Sequence, residues 1–164
     1  MRSFSSLVLG LSALATAASV ADCKPTAAAA LPNCPPRPAT PAQQRAILDN
    51  FIEAFYVKVD IEGAMTAHMA EDYIQHNPNV LSGRENSINT LKQFIIPGQA
   101  NMTVLRTALD NNIAFVHVRD DSAGASAEPQ AIVDVFRLNG TCIMEHWDVI
   151  QQRPANATNP LAMF

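Results

Sequence analysis

Apolar residues recur every three or four positions over the first half of the folded segment and every second position over the rest. Ile47, Leu48, Phe51, Ile52, Phe55 and Tyr56 form one apolar helical face, with Thr40 as N-cap, Pro41 at the first helical position and Gln43 completing a capping box. Asp60 caps a second, shorter helix through Met65, His68 and Met69. Ser82 and Glu85 suggest another capping box, opening a helix through Ile88, Leu91, Phe94 and Ile95 that Pro97-Gly98 stops. From Met102 the period is two: "MTVLRTAL" and "IAFVHVR" flank Asp110-Asn111-Asn112, and "AIVDVFRL" and "CIMEHWDVI" flank Asn139-Gly140, giving two hairpins. A further short strand is expected around Tyr73 to Gln75. Helices followed by a meander predict an α+β fold, a curved antiparallel sheet wrapped around three N-terminal helices with a pocket at the mouth of the resulting cone.

Outside that core the pattern changes. "MRSFSSLVLGLSALATAASVA" has a basic start at Arg2, an apolar run from Leu7 and small residues Ser19 and Ala21 before a cleavage point, the pattern of a secretory signal peptide. The expected organisation is a signal peptide over 1–21, an Ala/Pro-rich arm over 22–40, one domain over 41–152 and a tail over 153–164. Secretion permits disulfides among Cys23, Cys34 and Cys142. The short-loop pairing Cys23–Cys34 is favoured, with Cys34–Cys142 as the alternative. Three sequons, at Asn101, Asn139 and Asn156, offer glycosylation sites, of which Asn156 in the loose tail is the strongest.

Of 164 residues 48% are hydrophobic, and the net charge is −4 with both signs interspersed, so nothing resembles a basic nucleic-acid face. After signal cleavage no segment is expected to bind a membrane. The histidines lack the H-x-x-x-H or H-x-H spacing of common metal sites, and neither a nucleophile elbow nor a glycine-rich phosphate loop occurs.

The chemistry concentrates in "IMEHWDVIQQ". A one-residue slip in register exchanges the faces of a strand. With Asn139-Gly140 as a two-residue loop, Asp134 shares a face with Glu145 and Trp147. With Leu138-Asn139 in a turn followed by a bulge at Gly140, Arg137 pairs with Thr141, and Asp134 shares a face with Met144, His146 and Asp148. The second register is preferred because it gathers Asp134, Phe136, His146 and Asp148. By the same alternation Phe115 and His117 share a face. Buried carboxylates need partners. One reading is a structural network of aspartates and histidines; the other is a general acid–base site.

"YIQHNP", "FVHVRDD", "AIVDVFRLNG" and "IMEHWDVIQQ" together resemble the SnoaL-like polyketide cyclase family of the nuclear-transport-factor-2-like superfamily, over about Ala42 to Gln152. The resemblance implies an α+β cone, often dimeric through its sheet, doing cofactor-free acid–base chemistry on a small hydrophobic molecule. It places Asp148 where these cyclases carry an acid–base aspartate. Asp134, His146, His117 and His76 are then expected at the same site, with Phe136, Tyr73, Phe115 and Met144 as walls for the substrate. The secretion signal and the Ala/Pro arm are additions to the family pattern. A non-catalytic small-molecule binder on the same fold is the alternative.

Overall fold

A computed structural model describes residues 32–122 and 128–164. The expected signal peptide, Cys23 and most of the Ala/Pro arm lie outside them. Helix α1 (Pro41–Ile52) opens as its sequence requires: Thr40 accepts from the Gln43 amide, and the Gln43 side chain accepts from the Thr40 amide. Its last turn widens into a π-helical turn, Glu53–Val57, where the Lys58 amide reaches back five residues to the Glu53 carbonyl. That extra residue per turn lets the neighbours Phe55 and Tyr56 both point inward, where they are buried. Helix α2 (Ile61–His68) starts at Asp60, whose carboxylate accepts from the Gly63 amide.

Strand β1 (Met69–Gln75) follows directly and is longer than the sequence suggested. Helix α3 (Arg84–Leu91) departs from expectation at both ends. Its N-cap is Gly83, because the Ser82 hydroxyl is taken by the Gln75 amide and carbonyl. It stops at Leu91, so Phe94 and Ile95 lie on a loop, and Phe94 is 70% exposed.

Strands β2 (Met102–Asp110), β3 (Ile113–Asp120), β4 (Gln130–Asn139) and β5 (Cys142–Gln152) form the meander. The sheet order is β1-β5-β4-β3-β2. The expected all-antiparallel sheet is therefore corrected to a mixed one, since β1 joins β5 in parallel. Asn111 and Asn112 both have positive φ, 47° and 65°, the geometry of a tight hairpin turn whose twist matches the strands.

The helices cover one sheet face. Leu48, Phe51, Ala64, Met65, Val116, Val118 and Ile143 there are fully enclosed. Phe51 packs edge-on against Phe136 at 5.2 Å between ring centres. Burying a side chain of this size contributes roughly 1.5–3 kcal/mol, so this layer fixes the helices relative to β3 and β4.

The arm is stapled down. The disulfide is Cys34–Cys142, at a sequence separation of 108, and not the short-loop Cys23–Cys34 pairing. Docking of the arm on the β4–β5 hairpin brings the two together: the Thr141 amide donates to the Arg37 carbonyl, and the Arg37 amide donates to the Thr141 hydroxyl. Gly140 makes this approach possible. Its φ is +51°, and a Cβ there would lie 1.9 Å from the Arg37 carbonyl oxygen.

On the other side of the arm, the Asn33 side-chain Nδ2 lies 2.7 Å from His68 Nδ1. Burial holds the His68 pKa below its ordinary 6.5. The unfolded chain takes up this proton near pH 6.5 and the folded one only at lower pH, so stability is fully present above 6.5 and declines as pH falls from there towards the folded value. His68→Gln should lessen the loss of urea-unfolding midpoint between pH 7.5 and 5.5; an identical loss in the variant would contradict the assignment. At the other terminus, the Arg119 guanidinium sits over the Phe164 ring at 4.7 Å, docking the end of the tail. Among the described residues no helix is long and apolar enough to cross a membrane.

Candidate active site

Between the helices and the concave side of the sheet lies a cavity of about 820 Å³. Its apolar walls include Phe51, Phe55, Met65, Met69, Tyr73, Phe136 and Ile132, while Tyr56, Gln75, Asn77, Asp134, His146 and Asp148 bring the polar groups. Strand pairing explains the grouping. Asp134 stands directly opposite Asp148, and Phe136 opposite His146. This is the preferred set of faces, reached by another route. The loop is two residues long, Asn139 pairing with Cys142, and the irregularity falls between Arg137 and Leu138 on β4, opposite Met144, not at Gly140. Arg137 therefore pairs with Glu145, not Thr141, and Met144 sits at the irregularity and does not line the cavity.

Three further expectations are corrected. Phe115 and His117 share a face, but it is the outer one, because Ala114, Val116 and Val118 take the buried positions of β3. There His117 Nδ1 lies 2.9 Å from the Arg106 guanidinium. His76 is also outside the cavity. It stacks on Trp147 at 4.8 Å, and its Nε2 lies 2.8 Å from Glu145. Glu145, also bonded to Arg137 at 2.6 Å, is held below the usual carboxylate range first by the His76 hydrogen bond and then by Arg137. The outer strand positions thus carry an ordinary surface ion cluster. Of the catalytic candidates, the fold brings together Asp134, His146 and Asp148; of the wall candidates, Phe136 and Tyr73.

Sequence reasoning overlooked Tyr56, Gln75 and Asn77, which complete the site. The Tyr56 hydroxyl donates to Asp134 at 2.6 Å. Burial, and next the charge of Asp134, push the Tyr56 pKa well above its ordinary value, so the hydroxyl keeps its proton. Tyr73 is raised for the same reasons, burial first and then Asp134 and Asp148. A buried tyrosine normally finds a polar partner, and that rule applied to Tyr56 was the available signal.

Gln75 and Asn77 are oriented by backbone donors. The Asn77 amide donates to Gln75 Oε1 at 3.0 Å, and the Asn79 amide donates to Asn77 Oδ1 at 2.8 Å. Each contact fixes which end of the side-chain amide is oxygen. Gln75 Oε1 therefore faces His146 Nδ1 at 2.8 Å as an acceptor, and Nδ1 must carry a hydrogen. On the other side of the ring, Nε2 lies 2.9 Å from Asp134 Oδ1. A nitrogen lone pair does not sit against a carboxylate oxygen without a proton between them, so Asp134 and His146 together hold one shared proton. Asn77 in turn presents its NH₂ group to Asp148 Oδ2 at 2.6 Å.

Asp148 is half-buried and takes no second hydrogen bond from the described residues, leaving Oδ1 open to the cavity. The site thus holds a protonated donor assembly (Tyr56, Asp134, His146) beside an open carboxylate. The donor atoms of Asp134, His146 and Asp148 all lie within 4.8 Å of one another, so these three are also the group among the described residues able to hold a metal ion.

Gln75→Leu should leave the buried Nδ1–H unpaired and cost about 1–3 kcal/mol, read by urea unfolding. It should also change the ¹⁵N shifts of His146, while Gln75→Glu, which keeps an acceptor, retains the Nδ1–H form. Unchanged shifts in Gln75→Leu would contradict the proton assignment.

No protein-family model and no curated protein matches the chain. Solved structures do. A nuclear-transport-factor-2-like protein of unknown function from Burkholderia xenovorans superposes with a TM-score of 0.59 at 14% identity, covering 71% of this chain and 89% of that one. A candidate ketosteroid isomerase from Kribbella flavida gives 0.57 at 20% identity over 73% and 84%. A candidate polyketide cyclase from Acidithiobacillus ferrooxidans gives 0.53 at 14% identity over 69% and 91%. With its helices on one face of an open five-stranded sheet and its polar groups in the cavity between, this chain has the nuclear-transport-factor-2-like fold.

Proposed function

We propose that the protein is a secreted enzyme performing cofactor-free acid–base chemistry, an aldol-type cyclisation, isomerisation or dehydration, on a small hydrophobic molecule of the polyketide-derived ketone class. The observation that carries this reading is the open Asp148 carboxylate beside the proton-holding Tyr56–Asp134–His146 assembly, all facing one largely apolar cavity. Asp148 acts as the base at a carbon next to a carbonyl. Tyr56 and His146 each direct a proton at Asp134, and turning one of them to the substrate oxygen stabilises the negative charge that develops there. The fold neighbours named for isomerase and cyclase chemistry are compatible with this reaction type. Screening enolisable aryl ketones for turnover tests it, and a protein that binds such ketones without converting any of them would be a binding module instead. That second reading draws on one observation: among the described residues every buried side-chain nitrogen and oxygen already has a hydrogen-bond partner.

Export belongs to the same proposal, and amino-terminal sequencing of protein recovered from the medium should begin near Asp22. The sequons at Asn101, Asn139 and Asn156 are exposed and open to glycosylation, which mass spectrometry before and after deglycosylation would detect. The outer sheet face carries exposed Phe115 and Val149, suited to a homodimer through the sheet, and light scattering would give the mass.

A further inference from the structure

The charges lining the cavity are unequal. Among the described residues it is lined by Asp120, Asp134 and Asp148 and by His146, with no lysine or arginine. Asp134 and His146 share a proton and form a locally neutral pair. Two carboxylates remain, Asp148 and Asp120, and only the first is needed as a base.

Asp120 is half-buried at the end of β3, where it pairs with Gln130 of β4. Its Oδ1 accepts from the Ser122 amide at 3.0 Å and from the Ser122 hydroxyl. No hydrogen bond or ion pair from the described residues reaches its other oxygen. The nearby cations are engaged elsewhere. Arg119, the next residue on the strand, faces the other way and is bound twice by Asp121, at 2.6 and 2.8 Å. Arg153 is bound to Glu128 at 2.7 Å. A carboxylate oxygen facing a largely apolar cavity, with the neighbouring guanidiniums bound to other acids, is placed to receive a cationic group from a ligand.

Strand geometry gives the reach. Gln130, Ile132 and Asp134 line the cavity in alternation along β4, and Asp120 and Asp148 flank Gln130 and Asp134 respectively. Four residues of strand separate those rows, roughly 13 Å at about 3.3 Å per residue. Between the two rows β4 presents Ile132, and Phe51, Phe55 and Phe136 add aromatic faces to the cavity lining, which attract cations as well.

We infer that the substrate is an elongated hydrophobic molecule with a basic nitrogen at the end away from the reacting carbon, the ammonium resting on Asp120 while the reacting end reaches Asp148. Anionic molecules, carboxylates and phosphates alike, are rejected by the same charge distribution. This rests on the acid–base reading for the Asp148 end and is independent of it at the Asp120 end.

The test uses three matched probes: a 2-naphthyl alkyl ketone whose chain ends in dimethylammonium, the same ketone ending in an isopropyl group, and the same ending in a carboxylate. Calorimetry at pH 7 should rank them ammonium, isopropyl, carboxylate, with the ammonium at least about tenfold tighter than its neutral counterpart. Asp120→Asn should remove that advantage and leave the isopropyl ketone unchanged, and Asp120→Glu should keep most of it. Equal affinity for the ammonium and isopropyl ketones, a tighter carboxylate, or binding of none of the three would overturn the inference. An ammonium preference in a protein that turns over nothing would support it while removing the catalytic reading, so the two failures are distinguishable.

Discussion

Asp148→Asn should lower kcat on an enolisable substrate by about 10²–10⁴-fold, the usual contribution of a general base, while ligand affinity changes little. The change is close to isosteric. The Asn77 NH₂ group that Asp148 now accepts from can still donate to the new amide oxygen, so position 148 keeps its contact and loses its basicity. The cross-strand partner Asp134 supplies an internal comparison. Asp134→Asn disturbs the shared proton with His146 and the Tyr56 bond together, so it should reduce stability as well as rate. Rates measured alongside urea midpoints separate the two. A fully active Asp148→Asn protein would move the base elsewhere in the site.

The second large effect is on stability. The Cys34–Cys142 bond closes a loop spanning 108 residues, which includes all the helices and most of the sheet. Cross-linking a loop of that size removes about 4.7 kcal/mol of chain entropy from the unfolded state in the simplest treatment. The bond also holds the arm against the β4–β5 hairpin, where it bonds to Thr141. Replacing both cysteines by serine and alanine, Cys34→Ser with Cys142→Ala, should cost about 3–5 kcal/mol in urea unfolding. A loss under about 1 kcal/mol would show that the arm adds little to the fold. Because β5 also carries His146 and Asp148, loosening at Cys142 should be felt in the cavity before the rest of the sheet gives way.

Local rules made much of this fold legible. The Thr40–Gln43 box and the Asp60 cap depend only on near neighbours, and both form as written. The two asparagines at the first hairpin needed no tertiary information either. The faces of β4 and β5 were readable because gathering Asp134, His146 and Asp148 satisfies buried charge, even though the irregularity that achieves it falls by Met144. Alternation alone could not say which face of β3 is concave. Phe115 and His117 offered bulk and chemistry, yet the helices pack closely only on the smaller Ala114, Val116 and Val118.

What needed distant partners stayed hidden. Gln75 and Asn77 act across to β5, some seventy positions away, and their role depends on the parallel β1–β5 pairing that no local pattern announces. The sequence offered Cys34–Cys142 only as the alternative pairing for the same reason, since the choice follows from where the arm docks. Tyr56 reaches Asp134 only because α1 ends in a π-helical turn, and the sequence periodicity read it as another core position.

The claim that Asp148 removes a proton from a bound ketone can be measured without knowing the natural product. In deuterated buffer, with an aryl ketone that binds the cavity, proton NMR should show the wild-type protein accelerating loss of the signal from the carbon next to the carbonyl, with Asp148→Asn slowed by about 10²-fold or more. Exchange at the same rate in wild type and variant, under conditions where both bind the ketone, would contradict the account.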